Sequence, residues 1–198
     1  MIIGLDFDNT IVRYDEVFHT VALEQGHINT NTPVSKVAVR DAMRADGKND
    51  AWTEIQGYVY GRRMNLAQIY DGVKDFLKAA NAGGHTCMII SHKTRLPYAG
   101  PEYDLHKSAR EWIEKNLVEC GEQLVKDISF HETKELKIHH IADHGCDFFL
   151  DDLPEILNHE LFPPTTKPVL FDPDGHHGDE KILQAARSWG AFAKLTKI

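Results

Sequence analysis

The stretch Ile2-Ile3-Gly4-Leu5-Asp6-Phe7-Asp8-Asn9-Thr10 decides the fold. A short unbroken apolar run here ends at an acid, as in a strand buried on both faces of a parallel sheet. Residues two apart on a strand face the same side, so Asp6 and Asp8 share one side at its end. Two such carboxylates repel unless a cation binds or one takes a proton. One can then attack as a nucleophile while the other serves as acid and base. Asn9-Thr10 begins the turn away. The plain alternative is a surface acid pair, but the apolar residues on both sides disfavour an exposed edge.

Downstream, strand and helix alternate from residue 71 to the end. Val73, Phe76, Leu77 and Ala80 recur at helical spacing, and Gly83-Gly84 close that element. Residues 85–91 read as a buried strand through Cys87-Met88-Ile89-Ile90. A helix is expected over 105–117, a strand over 128–131 and a helix over 135–144. A strand over 147–150 ends at Asp151-Asp152, followed by a helix over 155–161. A strand over 168–172 and a helix from Lys181 to Trp189 complete the pattern. This implies an α/β fold: a three-layer, Rossmann-like parallel sheet with helices on both faces. Such sheets place their chemistry at the carboxyl ends of the strands. Here three strands end in Asp6, Ser91 and Asp151-Asp152.

Residues 14–70 differ in character, with more helix formers and polar residues, and turn signals at Thr30-Asn31-Thr32-Pro33 and Asp46-Gly47. They read as a small helical insert of two or three helices. The expected division is a catalytic core of 1–13 and 71–198 with a helical domain of 14–70.

The chain has 198 residues, enough for one full core or a core with a small insert. Its formal net charge of −8 argues against a nucleic-acid groove and suits a divalent cation, or else a plain acidic surface. No apolar run approaches a membrane span, so no membrane partner is expected. Met1-Ile2-Ile3-Gly4-Leu5 is followed at once by acids and does not read as a signal peptide. Cys87, Cys120 and Cys146 are far apart and odd in number, without metal-ligand spacing. Cys87 and Cys146 read as buried thiols, and a cytoplasmic location is expected. The histidine pairs His139-His140 and His176-His177 are adjacent, and neighbours on a helix point apart, so no zinc site is expected.

Each remaining candidate has a bland counterpart. Ser91 can hydrogen-bond a phosphoryl oxygen, or simply cap a strand. Lys137 can neutralise a phosphoryl group and the attacking carboxylate, or sit in solvent. Asp151-Asp152 closes a buried strand with adjacent acids, which a metal would relieve; Asp152 could instead cap a helix.

As a set these residues resemble the haloacid dehalogenase superfamily. The likeness lies in four ordered motifs: Asp6-Phe7-Asp8-Asn9-Thr10, Ile90-Ser91, Lys137, and Phe148-Phe149-Leu150-Asp151-Asp152. The resemblance implies a Mg²⁺-dependent phosphatase that works through an aspartyl-phosphate on Asp6. Asp8 would protonate the leaving oxygen and later activate water. Asp6, the backbone carbonyl of Asp8, and Asp152 would hold Mg²⁺, with Asp151 a further metal-site acid. Ser91 and Lys137, with Asn9 and Thr10, would bind the phosphoryl group. Members that cleave carbon–halogen or carbon–phosphorus bonds lack an acid at the position of Asp8, so phosphate esters are implied. The insert resembles the small helical cap that closes over such sites and chooses the leaving group.

Two departures matter. Many members carry an acid four or five residues beyond the metal-binding Asp, where this chain has Ile156 and Leu157; Glu155 is the nearest acid. Lys134 competes with Lys137, and Lys137 has the better spacing. The polar loop His92-Lys93-Thr94-Arg95 follows Ser91, and His92, Lys93 and Arg95 are candidates for substrate specificity, or else a solvated loop. In the insert, Arg62-Arg63 with Tyr58 and Tyr60 is a weaker candidate, since such aromatics more often pack the insert against itself. The expected partner is a small phosphorylated metabolite, a sugar phosphate or nucleotide. A phosphomutase, or a non-catalytic phosphate-binding regulatory domain, is the alternative.

Overall fold

The structure is a computed structural model and describes residues 1–177 and 184–198. The chain forms two compact units. The first comprises Met1–Val12, Ile69–Lys93 and Leu117–Ile198; the second comprises Arg13–Gln68 and Thr94–Asn116.

The first unit is built on a six-stranded parallel sheet. Its strands are β1 (Ile2–Leu5), β2 (Thr86–His92), β3 (Asp127–His131), β4 (Phe148–Asp151), β5 (Lys167–Phe171) and β6 (Ala185–Ala186). They lie in the order β6-β5-β4-β1-β2-β3, the doubly wound order in which the chain reverses direction beside the first strand. Leu5 pairs with Ile89 of β2 on one side and with Leu150 of β4 on the other. All three strands therefore end at one edge of the sheet. Close packing begins at the centre: a Cβ on Gly4 would lie 2.5 Å from Phe149 Cδ2. Glycine is needed there for space.

The second unit is helical. It contains α1 (Asp15–Glu24), α2 (Lys36–Ala45) and α3 (Asn49–Arg62). The first unit adds α4 (Val73–Ala82). The chain then contributes α5 (Leu105–Asn116) to the helical unit. The remaining helices, α6 (Lys134–Asp143), α7 (Pro154–Leu157) and α8 (Trp189–Thr196), belong to the first.

The helical unit differs from the expected insert of 14–70, because residues 94–116 belong to it rather than to the core. The reason lies in two glycines one turn apart on α3. A Cβ on Gly61 would sit 2.3 Å from Tyr103 Cβ, and one on Gly57 would sit 2.6 Å from Pro97 Cβ. Without side chains there, the second segment approaches the helix backbone directly. Ser108 Oγ donates to the Gly61 carbonyl at 2.9 Å, and Trp112 Nε1 to the Ala67 carbonyl at 2.9 Å. The aromatics also pack within this unit. Tyr60 meets Tyr14 and Phe18 edge-on, Tyr58 meets Tyr103, and Arg63 makes a two-pronged pair with Glu24.

Two further expectations differ. The helix expected over 155–161 stops at Leu157. His159 N bonds back to Ile156 O, a three-residue step that turns the chain away. Of the helix expected over 181–189, residues 181–183 lie outside the described residues. Ala185–Ala186 pair with β5, and α8 starts only at Trp189. Ser188 caps it, its hydroxyl accepting from Ala191 N at 3.1 Å. Among the described residues, no helix is long and apolar enough to cross a membrane.

Candidate functional site

The edge where β1, β2 and β4 end gathers the chemistry. Asp6 follows β1 directly, and its backbone N–H donates to the Leu150 carbonyl of β4 at 2.8 Å. That bond sets Asp6 level with Asp151. Asn9 then reverses the chain in the left-handed region, φ 58°. A short polar side chain tolerates that conformation better than most. Its Nδ2 donates to Asp152 Oδ2 at 3.2 Å, tying the first motif to the end of β4.

Asp6 is 4% exposed and its two oxygens are unlike. Oδ1 accepts from Ser91 Oγ at 2.8 Å and from Lys137 Nζ at 2.6 Å. Oδ2 accepts no hydrogen bond from any of the described residues. One oxygen is fixed; the other is left for a ligand.

Lys137, from the first turns of α6, is wholly buried. Its ammonium also donates to Asp151 Oδ2 at 2.6 Å. The other oxygen of Asp151 accepts from the Leu153 N–H at 3.0 Å, so both are engaged. Burial works against the ammonium, but the charges of Asp151 and Asp6 outweigh it and hold the lysine pKa above its ordinary range. Asp151 is the member that gives way. Burial, with the charge of Asp6, pushes it up to about 7 despite Lys137. Of the two candidate lysines, Lys137 is the one that reaches the carboxylates. Lys134 pairs with the exposed Glu155 instead.

Lys93 does not sit in a solvated loop. It is 4% exposed, and its Nζ lies 2.6 Å from Asp8 Oδ2 and 5.7 Å from the Phe7 ring centroid. Its position just beyond β2, level with the carboxylates, is the reason. His92 is half-buried, and burial lowers its pKa, with Lys137 and Lys134 adding to the effect. Arg95 belongs to the helical unit, where it pairs with Asp104 at 3.2 Å. Thr10 is wholly buried; its carbonyl accepts from Trp189 Nε1 at 3.1 Å, and its hydroxyl has no partner among the described residues.

Oxygens of Asp6, Asp151 and Asp152 lie within 4.8 Å of one another. Four carboxylates, Asp6, Asp8, Asp151 and Asp152, face two ammonium groups, Lys93 and Lys137. With all ionised, two negative charges remain, the charge a single divalent cation would cancel. The donors are hard oxygens, which fit Mg²⁺. Sequence reasoning missed two roles: Asn9 as the tie to Asp152, and Lys93 as the partner of Asp8. The left-handed turn and the burial of Lys93 leave no periodic signal.

No protein-family model matches the chain, and no curated protein matches it by sequence. Solved structures do match. The HAD-hydrolase YfnB from Bacillus subtilis, described bound to magnesium, is 14% identical with a TM-score of 0.58. That match covers 100% of this chain and 98% of that one. A hydrolase from Streptococcus pneumoniae TIGR4 is 12% identical with a TM-score of 0.59, over the same shares. A HAD phosphatase from Thermococcus onnurineus is 15% identical with a TM-score of 0.56, covering 98% of this chain and 96% of that one. The chain therefore has the fold of haloacid dehalogenase superfamily hydrolases over nearly its whole length.

Proposed function

We propose that the chain is a Mg²⁺-dependent phosphomonoesterase acting on a small phosphorylated metabolite, a sugar phosphate or nucleotide. One observation carries this reading: Asp6 has one oxygen held by Ser91 and Lys137 and the other unbonded. A nucleophile needs that asymmetry. Its attacking atom must be open while the rest of the group is fixed.

In the proposed reaction Asp6 Oδ2 attacks the substrate phosphorus. The bond to the leaving oxygen breaks, and Asp8 gives that oxygen a proton. Asp8 then takes a proton from water, which attacks the aspartyl-phosphate. Inorganic phosphate leaves and Asp6 is restored. Lys137 and Ser91 keep Asp6 oriented, and the ammonium charge of Lys137 stands beside the phosphoryl oxygens, as transfer of this group requires. Mg²⁺ held by Asp6, the backbone carbonyl of Asp8 and Asp152 would supply neutralising charge at those oxygens. Because both oxygens of Asp151 are engaged, its role in this scheme is to hold Lys137 rather than to ligate the metal. Lys93 orients Asp8 in the resting site rather than selecting substrate. The fold shared with hydrolases and phosphatases, one of them described with magnesium, supports the same class.

The test is phosphate release from a panel of phosphate monoesters, with and without Mg²⁺, by wild type and Asp6→Asn. The wild type should turn over and the variant should lose at least about a thousandfold in rate. Equal hydrolysis by the two would end the proposal. Isomerised substrate without free phosphate would instead mark a phosphomutase.

A further inference from the structure

A second cluster of ligand-bearing side chains lies at the other end of the sheet. Asp127 opens β3, whereas the phosphoryl-transfer residues lie where the strands finish. His140 stands in the last turn of α6, and His144 is its C-cap. One donor atom from each of Asp127, His140 and His144 lies within 4.8 Å of the other two.

The two imidazoles face each other. They are four residues apart, one helical turn, and their Nε2 atoms are 3.0 Å apart. Such a pair can share a proton, one nitrogen donating and one accepting. It can equally share a cation. At zinc–nitrogen distances of about 2.0–2.1 Å, nitrogens this far apart subtend an angle of roughly 95° at the metal. That lies between octahedral and tetrahedral geometry. Asp127 Oδ2 is 4.0 Å from His144 Nε2, and the Asp127 side chain is 54% exposed. A small rotation closes that gap.

The surroundings favour the same occupant. The His131 ring packs on His140 with centroids 4.5 Å apart, fixing its plane. His131 is itself anchored, its Nε2 3.1 Å from Ser129 Oγ. The carbonyl end of a helix carries partial negative charge, which attracts a cation. His144 is 33% exposed on its side chain, so an ion can enter. The two imidazoles are borderline donors, and the carboxylate adds one hard oxygen. They select Zn²⁺, Ni²⁺ or Cu²⁺ over Mg²⁺ or Ca²⁺, which prefer oxygen.

We propose that Asp127, His140 and His144 form a transition-metal site of the zinc class, separate from the carboxylate site around Asp6. Its bound ion ties the end of α6 to the start of β3. Lys137 stands one turn earlier on the same helix, so the ion also fixes the element that carries the buried ammonium.

The test is calorimetric titration of the full chain with Zn²⁺ in the presence of millimolar Mg²⁺. One equivalent of Zn²⁺ is expected to bind, undisplaced by Mg²⁺. His140→Ala and His144→Ala should each weaken binding by at least about tenfold. His139→Ala, at an exposed neighbour, should leave it unchanged. Asp152→Asn should also leave it unchanged, which separates this site from the carboxylates. Binding of equal strength in the His140→Ala/His144→Ala double variant overturns the proposal, as does loss of the equivalent in Asp152→Asn. A wild-type crystal soaked in Zn²⁺ decides the matter without any variant. An anomalous peak within about 2.0–2.1 Å of both Nε2 atoms supports the site, and a soak with no peak there refutes it.

Discussion

Replacing Lys137 by Met keeps most of the side-chain stem and removes the ammonium. Asp6 and Asp151 then lose a shared counter-charge where Asp6 is 4% exposed and Asp151 not at all. Breaking a buried ion pair from one side costs about 3–5 kcal/mol. For a chain of 198 residues, each kcal/mol lowers Tm by roughly 2–4 °C, so the expected drop is on the order of 10 °C at about pH 8 without divalent cation. The drop should shrink at about pH 5. Burial and Asp6 already push Asp151 up to about 7, and loss of the lysine moves it further in the same direction. An acid with a raised folded-state pKa stabilises the fold at low pH and loses that contribution as pH rises through the folded value. The variant is therefore least penalised in acid. Thermal melts of both proteins at the two pH values provide the assay. A drop under about 3 °C at about pH 8, or a larger drop in acid than in base, would refute the buried triad.

Four further outcomes are expected. Asp152→Asn reduces the net site charge from two negative to one while keeping an oxygen that can accept from Asn9, so the Mg²⁺ concentration giving half-maximal hydrolysis should rise by roughly 10–100-fold. With a thiol reagent at neutral pH, only Cys120 should react in the folded chain. Burial pushes Cys87 up to about 12 and Cys146 up to about 11, so both should react only after denaturation. Gly4→Ala should cost about 1–3 kcal/mol in denaturant unfolding, because its new methyl meets the Phe149 ring. Gly61→Ala should lower stability by a comparable amount, read by the same unfolding curves, since its Cβ meets Tyr103.

The parts of this molecule that were legible in its sequence share a cause. Buried parallel strands are short apolar runs, so β1, β2 and β4 stand out, and the residues that end them follow automatically. Lys137 was separable from Lys134 only through the resemblance, whose motif spacing to the double Asp it fits. The parts that were not legible depend on contacts far apart in the chain. Nothing local shows that Lys93 turns inward to Asp8, or that both oxygens of Asp151 are engaged. The histidine pair was obscured because His139-His140 are adjacent, whereas the rings that meet His140 belong to His144 at the helix end and to His131 of β3. Residues 94–116 looked like core because α5 is amphipathic in either setting. Only the bare glycine face of α3 reveals its partner. β6 is two alanines, too short for any period to register.

That glycine face has a consequence for dissection of the chain. A unit assembled from Arg13–Gln68 and Thr94–Asn116 is discontinuous, and the chain passes between the two units four times. Deleting 14–70 would strip the helical cover from Trp112 and Ile113, leaving large apolar surfaces on an orphaned α5. Expressing 14–70 alone would leave the Gly57–Gly61 face without its filling. A transplantable helical module must carry both segments, joined by a new linker in place of the intervening residues 69–93. Any exchange of this helical unit would have to move two stretches of chain rather than one.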